Sequence, residues 1–140
     1  MRRSLGLAIV SVLALTAAAC GSDNSTATPS TPAPAPGTDT FSATIAPGGT
    51  VMHNFTASAV GAVNVTLTAT NPPSTLLGLG IGIPGGNIGG CNLTKTVQAL
   101  PGSAPQLTIT VEAGDYCAGA FDVGAVARSG AFVTLSVAHP

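Results

Sequence analysis

Ala62-Val63-Asn64-Val65-Thr66-Leu67-Thr68-Ala69-Thr70 is the stretch that decides the fold class. Val63, Val65, Leu67 and Ala69 fall on one face of an extended chain, and Asn64, Thr66, Thr68 and Thr70 on the other. Successive side chains of a β-strand point to opposite faces, so the pattern predicts a strand with one side on a core and one in water. The same alternation recurs along the chain. It predicts strands over residues 40–46, 51–57, 62–70, 76–83, 91–99, 106–111, 116–123 and 131–138, and no window of helical length carries a helical period. Between strands, Ala46-Pro47-Gly48-Gly49 and Glu112-Ala113-Gly114-Asp115 each put glycine third. A type II turn needs positive φ there, so both read as tight, hairpin-like breaks. Eight short strands with such turns predict an all-β domain over residues 40–140: a two-layer antiparallel β-sandwich, or a jelly-roll-like variant of one.

Composition narrows what such a domain does. The chain has 140 residues, of which 6% are charged and 45% hydrophobic, against about 25% charged in an ordinary soluble domain. There is room for one core and not for a multi-domain enzyme, and Thr, Ser, Asn and Gly must cover most of the surface. Beyond residue 19 only Lys95 and Arg128 stand against Asp23, Asp39, Glu112, Asp115 and Asp122. Nucleic acid and polybasic membrane adhesion both depend on clustered cations, so neither is expected as a partner.

The first residues have the order of a secretory signal: Arg2 and Arg3, an apolar run from Leu5 to Leu15, then small residues up to Cys20. That run is well short of the ~20 residues a membrane-spanning helix needs. Ala17-Ala18-Ala19-Cys20 resembles the lipobox of bacterial lipoproteins, which implies a signal peptide over 1–19 and lipidation of Cys20. Several acyl chains on one residue anchor stably, since each buried methylene contributes about 0.8 kcal/mol. The expected partner is therefore a membrane and the expected location the bacterial cell envelope. Gly21 stands where an aspartate would signal inner-membrane retention, so by the same resemblance the outer membrane is expected. Residues 20–39 form a tether rich in Pro, Ala, Ser and Thr, with prolines at 29, 32, 34 and 36 and no large apolar side chain as far as Thr38. Such a stretch buries too little to order itself and reads as a disordered spacer, the eighteen residues from Gly21 to Thr38 reaching up to about 55 Å at ~3.1 Å per residue.

Within the domain, Leu77-Gly78-Leu79-Gly80-Ile81-Gly82-Ile83 alternates large apolar residues with glycine. One face packs a core, and the other is bare backbone, which often marks close approach by another group. A neighbouring loop or aromatic ring is expected to cover it; a ligand or partner there is the alternative. Cys91 and Cys117 are the only cysteines in the domain, and an exported protein meets an oxidising compartment, so they are expected to form a disulfide.

Four stretches together resemble the bacterial pre-peptidase C-terminal domain: Phe41 to Ile45 with Pro47-Gly48-Gly49, Val51-Met52-His53-Asn54-Phe55, Gly61 to Leu67, and Ala113-Gly114-Asp115-Tyr116-Cys117 through Asp122-Val123-Gly124. The resemblance implies a secreted β-sandwich acting as a binding or stabilising module, calcium-dependent in some relatives and attached to collagen or polysaccharide in others.

Residue by residue, chemistry is sparse. His53 and His139 are the only imidazoles, fewer than a zinc or copper site recruits, so no metal ligand is expected. His53 alternates with Val51 and Phe55 and reads as a sheet residue with a satisfied polar tip, while His139 reads as part of a frayed end. A calcium cage wants six to eight oxygens, and the carboxylates are few; no cofactor is expected, with calcium left open by the resemblance alone. Asp122 is expected to cap the turn at Gly124 and Asp115 the turn at Gly114. With His53, these are the candidate ligand or turn-capping residues. No catalytic residue is assigned: a triad drawn from a serine, a histidine and Asp122 lacks any G-x-S-x-G elbow to mark its serine. Gly85-Gly86-Asn87-Ile88-Gly89-Gly90 lacks the lysine and helix of a phosphate cradle and reads as a flexible loop. The expectation is a non-catalytic envelope module whose partner is an envelope protein or polysaccharide. A carbohydrate- or matrix-protein-binding domain and a small hydrolase are the alternatives.

Overall fold

The computed structural model describes residues 35–140; the expected signal peptide at 1–19, the expected lipidation site Cys20 and the expected tether as far as residue 34 lie outside them. The described chain forms eight strands: β1 Gly37–Ile45, β2 Thr50–Ala57, β3 Gly61–Asn71, β4 Leu77–Ile88, β5 Cys91–Ala99, β6 Leu107–Val111, β7 Gly114–Asp122 and β8 Ala131–His139. They build two four-stranded antiparallel sheets, ordered β1-β8-β3-β6 and β2-β7-β4-β5. The protein is an all-β sandwich. Its pairings nest, β4 with β5, β3 with β6, β2 with β7 and β1 with β8. One long antiparallel ribbon, folded at the β4–β5 turn and rolled up, gives this order, which is that of a jelly roll.

The core follows from the alternation. Val63, Val65 and Leu67 of β3, Leu77, Leu79 and Ile81 of β4, and Val133, Leu135 and Val137 of β8 are at most 1% exposed. Burying a side chain of this size contributes about 1.5–3 kcal/mol. The outer faces carry hydroxyls in place of charge: Ser42 pairs with Thr134 at 2.9 Å, and Thr108 donates to Asn64 at 2.8 Å.

Four local features differ from the pattern read along the chain. First, β3 contains a bulge between Leu67 and Ala69, which exposes Ala69 and returns Thr70 opposite the buried Val133. An inserted residue inverts the phase of everything after it. Gln106 repairs the ladder there: its side-chain oxygen accepts from the Leu67 amide at 2.8 Å and its amide nitrogen donates to the Leu67 carbonyl at 3.3 Å. Second, the two glycine-third turns are not hairpins. Gly49 N donates to Ala46 O at 2.8 Å and Gly48 has φ of 69°, so that turn forms, but it carries the chain from one sheet to the other. Gly114 is not a turn residue at all; it opens β7, after a crossing from β6 in the opposite sheet.

Third, β4 runs on to Ile88, so the glycine-rich stretch is mostly strand and not a flexible loop. Only Gly89 and Gly90 turn, at φ of 58° and 80°, and Gly85 N donates to Gly90 O at 2.7 Å across them. Two successive positive φ values are what a two-residue hairpin of type I′ requires, and glycine supplies them without strain. Fourth, β1 begins at Gly37, inside the span read as tether and ahead of the boundary at residue 40. Gly37, Thr38 and Asp39 pair with His139, Ala138 and Val137. They carry no large apolar group, so composition alone hid them.

Candidate functional site

β1 and β2 are edge strands of opposite sheets on the same side of the sandwich. Period two continues backward from Phe41 to Asp39 and forward from Val137 to His139, which turns both polar residues toward the sheet interface. β2 does the same for His53, two residues before the buried Phe55. The result is a cluster that holds both of the chain's imidazoles. His53 Nε2 lies 3.0 Å and His139 Nε2 3.6 Å from the same carboxylate oxygen, Asp39 Oδ2.

Aromatic rings fix the imidazoles. Phe41 stacks on His53 with centroids 4.9 Å apart, and Phe55 stacks on His139 at 5.1 Å and on Tyr116 at 5.9 Å. His139 is therefore an ordered member of β8 packed on a core residue, not a frayed end. The absent Cβ of Gly37 leaves the room that this ring occupies; a Cβ built there would come 2.7 Å from His139 Cε1. In the sequence Asp39 counts only as a charge and His139 reads as part of a frayed end, although the alternation of Asp39 with Phe41 and of His139 with Val137 carried the signal.

The Asp39–His53 contact bridges two edge strands across the seam between sheets. On the opposite seam Lys95 of β5 reaches across to donate to the Thr108 carbonyl of β6 at 2.8 Å. An inward-pointing polar or charged residue on an edge strand discourages pairing with a further strand, and here each one also ties its sheet to the other. The side chains of His53 and Asp39 are 36% and 40% exposed, so as an ion pair their contact contributes no more than about 1 kcal/mol.

Asp115, Asp122 and His53 do not form one site. β7 holds Asp115 and Asp122 near opposite ends. Asp115 Oδ1 accepts from Thr56 Oγ1 at 2.7 Å, across the β2–β7 pair, where a cap on Gly114 was expected. Asp115, Asn54, Phe55, Thr56 and Pro84 line a shallow open cleft of about 300 Å³. Asp122 organises loops. Its Oδ1 accepts from the amides of Gly124, Ala125 and Val126 at 2.8, 2.9 and 3.0 Å, and its Oδ2 from Gly48 at 2.8 Å. Those amide donors, Gly48 foremost and then Val126, hold its carboxyl below its ordinary value against an opposing desolvation.

Cys91 and Cys117 form a disulfide with Cα atoms 5.9 Å apart and both residues buried. The glycine face of β4 is covered by neighbours: Phe121 lies over Gly78 and Leu93 over Gly80. Gly119 of β7 lies against Met52 and the Val51 carbonyl in the same way. No bare backbone is left there for a ligand. Compared with family models, curated proteins and solved structures, the chain finds no match.

Proposed function

We propose that this chain is an exported bacterial lipoprotein, acylated on Cys20, that presents its β-sandwich as a non-catalytic binding or structural module of the cell envelope, on the outer membrane. The observation that carries the reading is the buried Cys91–Cys117 disulfide, since such bonds persist in oxidising compartments outside the cytoplasm. It agrees independently with the apolar Leu5–Leu15 run and the Ala17-Ala18-Ala19-Cys20 junction. Among the described residues, the hydrogen bonds of both imidazoles run to Asp39 and Pro140, with no serine hydroxyl among them.

The resemblance to pre-peptidase C-terminal domains points the same way, toward a module that binds or stabilises. For a carbohydrate or matrix-protein ligand, the cleft beside Asn54 and Asp115 is the feature in favour, because it sets an amide and a carboxylate beside an apolar wall. The anchoring reading is tested by fractionation. Wild-type protein sediments with membranes and Cys20→Ser appears in the soluble fraction; if the variant sediments as the wild type does, Cys20 is not the anchor.

A further inference from the structure

From the outer face of the β1-β8-β3-β6 sheet we infer a binding surface for a linear, uncharged polysaccharide, centred on Phe132. The inference rests on the reading of the domain as an exported binding module and gives that module its ligand class. Phe132 stands on β8 with 49% of its surface exposed. In register it lies between Thr44 of β1 and Asn71 of β3, both exposed, so an apolar ring is flanked by a hydroxyl and an amide. Opposed residues of antiparallel strands stand about 5 Å apart, which sets these two polar groups at the rim of a sugar ring laid on the phenyl. A pyranose offers the matching chemistry, with C–H bonds on its faces for an aromatic ring to cover and hydroxyls round its edge.

The rows beyond Phe132 repeat the polar half of that arrangement. Two residues on, Thr134 lies between Ser42 and Ala69, and two further on Ser136 lies between Thr40 and Thr66. Such rows are roughly 6.8 Å apart along the strands, so a chain of sugars lying along β8 meets hydroxyls beyond its first ring. Ser42 and Thr134 hydrogen bond to each other at 2.9 Å, which orders them before a ligand arrives and lowers the entropy that binding must offset. A hydroxyl has one hydrogen to donate and two lone pairs, so each keeps capacity for a further bond.

Charge selects the ligand. The ionisable residues of these four strands are Asp39 and His139, and both turn toward the sheet interface, so the outer face carries no charge. Beyond residue 19 only Lys95 and Arg128 stand against five carboxylates. An anionic polymer is therefore repelled by the domain as a whole and finds no counter-charge on this face. A protein partner would need a larger apolar centre than one phenyl ring among hydroxyls. The cleft at Asp115 lies on the other sheet and offers a sugar polar groups without an exposed ring, since Phe55 there is only 6% exposed.

The test uses the full chain, purified in detergent and titrated calorimetrically with soluble glucan, mannan and galactan chains, and with polygalacturonate as the anionic control. At least one neutral polymer is expected to saturate and polygalacturonate to give no binding heat. Phe132→Ala should weaken the neutral polymer by roughly 10-fold or more, as loss of a central aromatic contact does. Phe132→Tyr, which keeps the ring, should bind as the wild type does, and so should Asp115→Asn at the cleft. In the wild type, amide resonances of Thr44, Phe132 and Asn71 should shift on adding the polymer, a readout that needs no variant to fold. Absence of saturable binding to all three neutral polymers overturns the inference. So does binding that Asp115→Asn removes and Phe132→Ala leaves intact, or polygalacturonate binding as tight as that of the neutral chains. Any of these outcomes strikes the sugar surface alone, because the anchoring reading stands or falls separately on the fractionation of Cys20→Ser.

Discussion

Asp122 is only partly buried, yet four backbone amides from two separate loops converge on its carboxylate. Gly48 belongs to the β1–β2 turn and Gly124, Ala125 and Val126 to the β7–β8 loop, and the Asp122 amide donates back to Gly49 O at 3.0 Å. A carboxylate that accepts several amide hydrogens is held in its charged form, here mainly by Gly48 and Val126, so its folded-state pKa lies below the ordinary 3.8. A group with a depressed folded pKa contributes stability above its unfolded value and loses that contribution as pH falls through the folded one. Asp122→Asn, which keeps one acceptor oxygen but no charge, is therefore expected to melt below the wild type near neutral pH. The gap should shrink as pH falls below the carboxylate range and the wild-type carboxyl becomes protonated in its turn. Melting temperatures of both proteins across that range check it, and a gap constant with pH would show that the charge plays no part. The sequence placed Asp122 at the Gly124 turn; its hold on Gly48 depends on two loops far apart in the chain meeting at one end of the sandwich.

At the scale of the element, β4 separates what alternation reveals from what it hides. Leu77, Leu79 and Ile81 were readable as core because period-two burial is a local property of the strand, and they are at most 1% exposed. The glycines between them were readable as a close approach, but the approaching groups come from other strands, and pairing partners are not written locally. The same division explains the rest. Strand count and inward residues were legible in alternation, while the bulge at Thr68, the start of β1 at Gly37 and the meeting of Asp39 with His139 depend on register between distant strands. The covering groups differ in kind, which makes the glycines unequal. A Cβ at Gly80 would come 2.7 and 2.8 Å from the two methyl carbons of Leu93, a side chain free to change rotamer, whereas a Cβ at Gly82 would fall on the Asn92 carbonyl of β5. Overfilling a packed site costs about 1–3 kcal/mol, least where a side chain can swing and most where backbone must move. Gly80→Ala should fall at the low end of that range and Gly82→Ala at or above the high end in urea unfolding; the reverse order would refute this account of β4.

Across the whole molecule, the nested pairing joins β1 to β8 and brings both ends of the described chain together: Gly37 pairs with His139, and Ser58 N donates to Pro140 O at 2.9 Å. Such a ribbon is built from contacts between residues far apart in sequence, each closed against the entropy of a long loop. One covalent bond lessens that cost. Cys91 at the start of β5 and Cys117 in β7, separated by 26 residues, tie the distal end of the β4–β5 hairpin to the β2–β7 pair. Constraining a loop of that size in the unfolded chain stabilises by ~3.5 kcal/mol in the chain-entropy treatment, a large share of the 5–15 kcal/mol typical of a whole domain. Both cysteines are buried, so replacing them with the small apolar alanine leaves no polar group unpaired. The double variant Cys91→Ala/Cys117→Ala is expected to lose about 3–4 kcal/mol in equilibrium denaturation. The loss should appear mainly as a lower unfolding midpoint, with the denaturant slope rising as the unlinked unfolded chain exposes more surface. A change below about 1 kcal/mol would mean that the rolled ribbon is held by its buried sheet faces alone.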